Sequence, residues 1–243
     1  MKPNIKVYKS IDDLSLAAAQ LFIESASQAI AARGQFLVAL SGGGTPNHLY
    51  RLLAGAPQRN QIDWQKVHVF WGDERIVPMD NPGSNYFQAR KVLLDHVNIP
   101  MDHVHRVQSS LEPASVAIEY AQTLKEFAAP PLDWPRFDLV LLGMGDDGHT
   151  ASLFPGSPVD ESEPIIAVTA NYQGRPANRI SLTPRVFNSA RRIIFLISGL
   201  SKAVTLTQVL GEDSHLDLLP AQRIQPTDGE LLWLVDEAAA SKL

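Results

Sequence analysis

The stretch FDLVLLGMGDDGHTASLFPG, from Phe137 to Gly156, carries the pattern on which the fold prediction depends. It begins as a short apolar run, typical of a buried strand, and passes directly into glycines and acidic residues. Its glycines, at positions 143, 145 and 148, also match the G-x-G-x-x-G spacing of a dinucleotide-binding turn. The stretch therefore predicts a buried strand that ends in a tight turn, and the neighbouring residues decide the chemistry of that turn.

Similar apolar runs recur along the chain and alternate with helical patterns. The predicted strands are residues 5–8, 36–40, 67–71, 137–143, 165–170, 191–199 and 230–236. The predicted helices are residues 12–33, 46–54, 85–96, 114–128 and 201–210. This alternation predicts an α/β fold with a doubly wound, mostly parallel sheet and helices on both faces. We expect one domain over residues 1–243, because neither the composition nor the strand pattern breaks along the chain.

The composition limits the classes of function. The chain has 243 residues, of which 45% are hydrophobic and 19% charged, as is typical of a globular protein. Its net charge of -5 and the lack of a basic run interleaved with aromatics argue against a nucleic-acid partner. The absence of cysteine excludes disulfides, thiolate metal sites and a cysteine nucleophile. A local cluster of cations could still bind an anionic metabolite.

One apolar segment near the start, Leu14–Ile23, superficially resembles a secretory signal. Asp12 and Asp13 precede it directly. Gln20 and Glu24 give it a polar face, so an amphipathic helix is the better interpretation. No other apolar run approaches the ~20 residues of a membrane helix. We expect a cytoplasmic protein without membrane association, as a monomer or a weak homo-oligomer.

The first chemical candidate follows the second predicted strand, where a serine and three glycines occupy residues 41–44. Glycine lets the backbone approach a ligand closely, and the N–H groups at the start of the next helix can bind an anion. Thr45 is a suitable N-cap and Pro46 a suitable first helical residue. We interpret this segment as a phosphate-binding turn; an ordinary glycine-rich turn is the alternative.

Charged residues follow two other predicted strands. Asp73, Glu74 and Arg75 come directly after the third strand, and Lys202 lies in the first turn of the last helix. Ligands of open parallel sheets bind outside the carboxyl ends of the strands, so these residues are candidates for one cleft. A cation is disfavoured at a helix N-terminus, so Lys202 indicates an anionic partner there; solvent-exposed side chains are the alternative. Arg179 lies on a further probable strand, and alternation alone leaves open whether it faces the cleft.

The residues around the opening glycines do not suit a dinucleotide. Asp146 and Asp147 occupy the turn that would cradle pyrophosphate, and Pro155 ends any helix begun there. What remains is His149 beside Asp147. An imidazole, with an ordinary pKa of ~6.5, can act as a base near neutrality while a carboxylate orients its ring. A metal site is the weaker alternative because no further ligand is evident, and the His-Val-His segment at 103–105 is interpreted as a loop or strand edge. We predict neither metal nor cofactor.

These motifs resemble those of a known family. Between Ser41 and Ala239 the chain carries, in family order, SGGGTP, WGDERIVP with GSNY, LLGMGDDGHTASLFPG, RISLTP, SGLSKA and LPAQRIQPTDGELLWLVDEAA. They resemble the 6-phosphogluconolactonases of the glucosamine-6-phosphate isomerase/6-phosphogluconolactonase family. The resemblance implies the fold shared with glucosamine-6-phosphate deaminases. It also implies hydrolysis of 6-phospho-D-glucono-1,5-lactone in the pentose phosphate pathway, without metal or cofactor.

The resemblance also implies roles for single residues. His149 would be the base that activates water for attack on the lactone carbonyl, with Asp147 close by. Arg75 would contact the substrate near the reacting end. The implied phosphate pocket consists of Gly43, Gly44, Thr45, Arg179 and Lys202. Asp73 and Asn85 are further substrate-binding candidates without a defined role.

Two alternatives stay open. An amino-sugar phosphate deaminase or isomerase would have the same fold. Such enzymes typically read DGHIAFNEP, with a glutamate five positions after the histidine, where this chain has Phe154. They also prefer tyrosine where this chain has Arg75. A non-catalytic sugar-phosphate sensor would need the phosphate pocket but not His149.

Overall fold

The structure, a computed structural model, describes residues 3–108, 112–156, 162–211 and 219–243. Within these ranges the chain forms nine strands and six α-helices. The strands are β1 (Asn4–Tyr8), β2 (Phe36–Leu40), β3 (Val67–Trp71), β4 (Asp73–Arg75), β5 (Leu139–Leu142), β6 (Ile165–Thr169), β7 (Asn178–Leu182), β8 (Arg192–Ile197) and β9 (Glu230–Asp236). The helices are α1 (Ile11–Arg33), α2 (Gly44–Ala54), α3 (Asn85–Val92), α4 (Pro113–Lys125), α5 (Pro184–Asn188) and α6 (Ala203–Leu210).

Six strands form one sheet in the order β1-β9-β8-β5-β2-β3, and every pair in it is parallel. The chain moves outward from β2 to β3, returns to β5 on the other side of β2, and continues to β8 and β9. The direction of winding therefore reverses between β2 and β5. Ligands of doubly wound sheets bind at such a reversal, beyond the carboxyl ends of the strands.

Both faces of this sheet are covered, because side chains of successive strand residues point to opposite faces. In β2, Leu37 and Ala39 belong to the core under α4, α5 and α6, whereas Phe36, Val38 and Leu40 belong to the core under α1, α2 and α3. The predicted doubly wound sheet with helices on both faces is thus confirmed.

A second, antiparallel sheet in the order β4-β7-β6 was not anticipated from the sequence. The charged triplet Asp73–Arg75 forms its own short strand, β4, one residue after β3 ends. The predicted strand at 165–170 exists as β6, but it pairs with β7 and not with the parallel sheet. This arrangement brings Arg75 and Arg179 opposite each other in register beside the carboxyl edge of the main sheet.

Helix α1 agrees with the amphipathic helix predicted at 12–33. Ser10 caps it, accepting a hydrogen bond from the Asp13 N–H, and Gly34 ends it in the left-handed region at φ 79°. Its apolar face, including Leu14 and Phe22, is buried in the core. Among the described residues, no helix is long and apolar enough to cross a membrane.

The predicted start of the second helix was wrong. The helix α2 begins at Gly44, with Gly43 as its N-cap at φ 115°, and the Thr45 side chain makes no capping hydrogen bond. A glycine cap at positive φ lets the helix start earlier than the threonine would allow. Pro46 still lies in the first turn, where its missing N–H has no intrahelical partner to lose.

Two buried tyrosines fix the carboxyl ends of β2 and β3. The Tyr50 hydroxyl accepts from the Ser41 N–H (3.1 Å) and donates to the Ser41 carbonyl (2.8 Å). The Tyr120 hydroxyl accepts from the Trp71 N–H (2.8 Å) and donates to the Trp71 carbonyl (3.2 Å). Each phenol satisfies the backbone N–H and carbonyl of the residue at the carboxyl end of its strand or directly after it, so the loops that follow start from fixed points.

Candidate active site

The turn after β5 folds the side chain of His149 back over its own backbone. The Gly145 N–H donates to the His149 carbonyl (2.8 Å), and the Gly148 N–H donates to the Gly145 carbonyl (3.1 Å). The Thr150 hydroxyl donates to the Gly143 carbonyl (2.8 Å), which closes the turn onto the end of the strand. His149 and Asp147 are thereby presented at the carboxyl edge of the central strand.

The glycine spacing of this turn has steric causes unrelated to a cofactor. A Cβ at Gly145 would lie 2.0 Å from His149 Nδ1 and 2.5 Å from Asp147 Oδ1. Gly148 has φ 81°, which favours glycine, and a Cβ there would lie 3.0 Å from Leu219. Two glycines of the apparent dinucleotide motif therefore make room for the imidazole and for its turn.

The His149–Asp147 pair has the geometry of an oriented base. His149 Nδ1 lies 2.6 Å from Asp147 Oδ1. Because an ionised carboxylate only accepts hydrogen bonds, Nδ1 carries the proton and the lone pair of the neutral ring is on Nε2. Burial lowers the pKa of His149 below its ordinary value, and the negative charge of Asp147 opposes this shift. The imidazole is thus held neutral and ready to accept a proton near pH 7.

Asp73 is the second carboxylate near the imidazole, and it belongs to a buried network. Its Oδ2 accepts from the Ser152 hydroxyl (2.6 Å), and its Oδ1 lies 3.3 Å from the amide nitrogen of Asn85. Ser152 is fully buried, and its own N–H reaches the Ser181 hydroxyl at 3.3 Å. No sequence pattern indicates a role for Ser152, although it lies within the histidine stretch 137–156.

Asn85 connects this network to the glycine loop after β2. Its Nδ2 donates to the Asp73 carbonyl (2.8 Å), and its Oδ1 is buried without a hydrogen-bond partner among the residues that the structure describes. A Cβ at Gly42 would lie 1.8 Å from that oxygen, so only glycine fits at position 42. Asn85 is 1% exposed, and its side chain packs against the backbone of the loop at Gly42.

Glu74, whose role the sequence left open, anchors the helix α3. Its carboxylate accepts from the N–H groups of Arg75, Asn85 and Tyr86, each at 2.7 Å, and from the Ser84 hydroxyl at 3.0 Å. A buried carboxylate at a helix N-terminus satisfies N–H groups that have no intrahelical partner. Glu74 therefore fixes α3, and with it Asn85, against β4.

The N-terminus of α2 lies beyond the same edge of the sheet. The first hydrogen bond within this helix runs from the Asn47 N–H to the Gly43 carbonyl (3.3 Å), so the N–H groups of Gly44 and Thr45 precede the hydrogen-bonded ladder. A Cβ added at Gly44 would have no neighbouring atom of the described residues within 4 Å, apart from its chain neighbours and the backbone of its own helix. The glycine loop therefore leaves space beside Gly44, next to the N–H groups that were predicted to bind a phosphate.

Arg75 and Arg179 form a buried pair of guanidinium groups. The Arg75 Nη1 donates to the Gly83 carbonyl (2.7 Å), and the Arg179 Nε donates to the Pro176 carbonyl (3.0 Å). In the described part of the chain, Arg75 Nε and Arg179 Nη2 are buried without a hydrogen-bond partner. Burial, and then the charge of Arg75, lower the pKa of Arg179. Two cations held together out of water favour an anionic partner.

Lys202 lies at the end of a 3₁₀ turn that leads into α6. Its Nζ is 2.5 Å from Asp146 Oδ1, and the Ser201 hydroxyl donates to the same oxygen at 3.1 Å. The hydrogen bond from Lys202 is the main reason that the pKa of Asp146 is low. A carboxylate of the protein therefore occupies the anionic position that the sequence analysis expected beside Lys202.

The predicted residues thus lie beyond the carboxyl ends of β2, β3, β5 and β8, except Arg179, which belongs to β7 of the second sheet. The His-Val-His segment, predicted as a loop or a strand edge, lies at the edge of the sheet, because Val104 forms an isolated bridge with Val69 of β3. His68, His103 and His105 stack beside it. Throughout the described ranges, no group of three or more His, Asp or Glu side chains is arranged to hold a metal ion.

The fold and the site define a doubly wound α/β protein with an imidazole–carboxylate pair, two buried guanidinium groups and an open helix N-terminus at one edge of its sheet. The chain belongs to the family of glucosamine-6-phosphate isomerases/6-phosphogluconolactonase, whose model matches residues 9–233. This confirms the family indicated by the motifs.

Relatives and solved structures agree over the whole chain. The chain is 40% identical over 245 residues to the 6-phosphogluconolactonase of Nostoc sp.. The match covers 100% of this chain and 99% of that protein. The 6-phosphogluconolactonase structure from Trypanosoma brucei has a TM-score of 0.84 at 29% identity, covering 100% of this chain and 99% of that one. A monomeric glucosamine-6-phosphate deaminase of the NagB superfamily has a TM-score of 0.84 at 23% identity, over 99% of this chain and 100% of that one, and shows the shared fold.

Proposed function

We propose that this protein hydrolyses 6-phospho-D-glucono-1,5-lactone to 6-phospho-D-gluconate in the oxidative pentose phosphate pathway. The observation that carries the proposal is the His149–Asp147 pair, with 2.6 Å between Nδ1 and Oδ1 and Nε2 left without a protein partner among the described residues. The full-length relatives named 6-phosphogluconolactonase support the substrate.

In this proposal His149 is the general base. Nε2 takes a proton from water as the water oxygen attacks the lactone carbonyl, and Asp147 stabilises the imidazolium that forms. The protonated ring then gives its proton to the departing ring oxygen. The product is the open-chain acid, and the imidazole returns to its neutral form.

The buried arginines would bind the anionic parts of the substrate. Attack on the carbonyl places negative charge on its oxygen, and a guanidinium fixed in advance stabilises that charge. We assign this role to Arg75, and we keep Arg179 as part of the phosphate pocket. Because the two residues are partners across β4 and β7, they would contact neighbouring parts of one substrate.

The remainder of the phosphate pocket would be the N-terminus of α2 with Lys202. The N–H groups of Gly44 and Thr45 precede the hydrogen-bonded ladder, and Gly43 supplies the turn that opens them to a ligand. A phosphate near Lys202 would compete with Asp146 for the ammonium group. We propose that Asp73 and Asn85, which are buried behind these loops, hold the site in shape.

The structure also bears on the two alternative functions. Phe154, at the position of the deaminase glutamate, has its ring centroid 4.6 Å from the imidazole, so an apolar wall stands where that acid would act. A non-catalytic sensor would not require a carboxylate-oriented, buried imidazole.

The burial of the apolar face of α1 supports a folded N-terminal helix over a secretory signal. We propose a cytoplasmic monomer or weak homo-oligomer.

The proposal is tested by a proton-release assay with freshly prepared 6-phosphogluconolactone in the presence of a chelator. Hydrolysis well above the spontaneous rate is the expected result. Lactone binding without acceleration would favour the sensor, and activity that disappears with chelator would indicate a metal enzyme. Ammonia release from glucosamine 6-phosphate would instead support the deaminase.

A further inference from the structure

A short hairpin between β6 and β7 reaches over the histidine turn. Its ends are joined by a hydrogen bond from the Ala170 N–H to the Ala177 carbonyl (3.0 Å), and its tip by one from the Arg175 N–H to the Tyr172 carbonyl (3.0 Å). Gln173 and Gly174 turn the chain with φ of 48° and 66°. This tight turn fixes the position from which the side chain of Tyr172 extends.

The rings of Tyr172 and His149 are in T-shaped contact. The two ring centroids are 4.6 Å apart at an interplanar angle of 76°. Phe154 lies against the imidazole at 4.6 Å and 30°, and 5.7 Å from the Tyr172 ring. The imidazole therefore has an aromatic neighbour from its own stretch and a second one from the other sheet.

Charged groups from several elements face the imidazole as well. Asp147 and Asp146 come from its own turn, Asp73 from β4 and Arg179 from β7. The three carboxylates favour the protonated ring, whereas Arg179 disfavours it. Burial is nevertheless the largest influence and lowers the pKa of His149. The side chains that exclude water from the ring therefore decide how basic it is.

The hydroxyl of Tyr172 is engaged by groups other than the imidazole. It accepts from the Gln173 amide (3.1 Å) and is held near the backbone of Asp146. Burial and the charges of Asp147 and Asp146 raise the pKa of the phenol, so it stays protonated near neutrality. The ring is therefore the part of Tyr172 that acts on His149.

We propose that Tyr172 is a positioning residue for His149: its ring presses the imidazole onto Asp147 and Phe154 and leaves only Nε2 for the substrate. This role rests on the proposed function of His149 as the base. The second, antiparallel sheet thereby contributes to catalysis by carrying this ring on its hairpin. His149 would therefore have all of its neighbours only once the hairpin has folded over the histidine turn.

The test compares Tyr172→Ala with Tyr172→Phe, and uses Asn171→Ala, an exposed neighbour on the same hairpin, as control. The His149 Cε1–H resonance is followed by NMR as a function of pH, which requires no substrate. The pH dependence of lactone hydrolysis is measured in parallel. Loss of the ring admits water, so in Tyr172→Ala we expect the pKa of His149 to rise and kcat to fall about tenfold, because a displaced base costs up to ~10²-fold. Tyr172→Phe and Asn171→Ala should match the wild type in both measurements.

An unchanged His149 titration in Tyr172→Ala would overturn the proposal. Equal shifts in Tyr172→Phe and Tyr172→Ala would also overturn it, because the hydroxyl would then be the active part. If Tyr172→Ala does not fold, the Tyr172→Phe profile still tests the proposal. A profile that differs from the wild type would show that the hydroxyl is the active part and would overturn the proposal. A wild-type protein without lactonase activity would end the proposed function, yet the NMR titration would still test the contact.

Discussion

The loops that follow β2 and β5 share a glycine-rich composition but use it differently. After β5, the space beside Gly145 is filled by His149, four residues later in the same turn. After β2, the space beside Gly42 is filled by Asn85, which comes from the distant helix α3. The first loop presents a side chain, and the second presents its own backbone N–H groups. Glycine therefore shows that something lies close to the backbone, and the surrounding structure decides what it is.

The largest effect is expected from filling the space beside Gly145. In Gly145→Ala the added Cβ would lie 2.0 Å from His149 Nδ1 and has to push the ring away from Asp147. We expect kcat for lactone hydrolysis to fall by about 10²-fold or more, since general-base catalysis contributes ~10²–10⁴-fold. Gly143→Ala is the matched control, because a Cβ there would meet nothing within 4 Å. Equal activities of the two variants would contradict the steric explanation.

A change of charge at the base should have the next largest effect. Asp147→Asn keeps an oxygen that can accept from His149 Nδ1 but removes the charge that raises the pKa of the imidazole. Because the neutral ring is the active form, kcat/KM is lost as the pH falls through this pKa. We expect the acid limb of the pH profile to move to lower pH, with a plateau reduced about tenfold or more. Tyr172→Ala should move the limb in the opposite direction, and a shift of both variants to higher pH would refute the assigned role of Asp147.

The phosphate pocket proposed at the loop after β2 is tested through Lys202, which is proposed to share it. Lys202→Ala should weaken the binding of 6-phosphogluconate by about tenfold or more, because hydrogen bonds between charged groups contribute ~1.5–3 kcal/mol. Isothermal titration with 6-phosphogluconate and with gluconate would measure the difference. Lys125→Ala, at an exposed ion pair with Asp133, serves as control. If Lys202→Ala weakened the binding of 6-phosphogluconate and of gluconate equally, the lysine would not belong to a phosphate pocket.

The smallest effect on turnover is expected from a change at Tyr50, which contacts the start of the loop after β2. Tyr50→Phe removes the hydroxyl that pairs with both backbone groups of Ser41. It should lower the free energy of unfolding by ~1–3 kcal/mol, because buried backbone groups lose their partner. Urea denaturation would measure this change, with Tyr8→Phe as a control at a partly exposed tyrosine. A stability equal to that of the wild type would show that water replaces the phenol.

Much of the fold could be predicted from the sequence because the central strands are buried on both faces. The strands β2, β3 and β9 have the predicted limits, since continuous apolar runs bounded by glycine and charge leave little choice. The sheet formed by β4, β6 and β7 could not be predicted in this way. The strand β4 has only three residues, and its pairing with β7 depends on contacts far apart in the sequence.

The candidate site divides along the same line. The proximity of His149 and Asp147 could be predicted, because both belong to one turn. The contacts of Ser152 with Asp73, of Asn85 with Gly42 and of Tyr172 with His149 join different elements, and no local pattern indicates them. Thr45 satisfied the local rules for an N-cap, yet the helix starts at Gly44 because Gly43 adopts a positive φ. The roles of the single residues and the one-domain organisation stay predictions.

The most direct measurement of the central claim compares His149→Ala with the wild type in two assays on the same preparations. One measures proton release from 6-phosphogluconolactone, and the other measures binding of 6-phosphogluconate by calorimetry. If His149 is the base, hydrolysis falls by about 10²–10⁴-fold while the affinity for the phosphorylated acid stays within a few-fold of the wild type. Hydrolysis at the wild-type rate in His149→Ala would contradict the account.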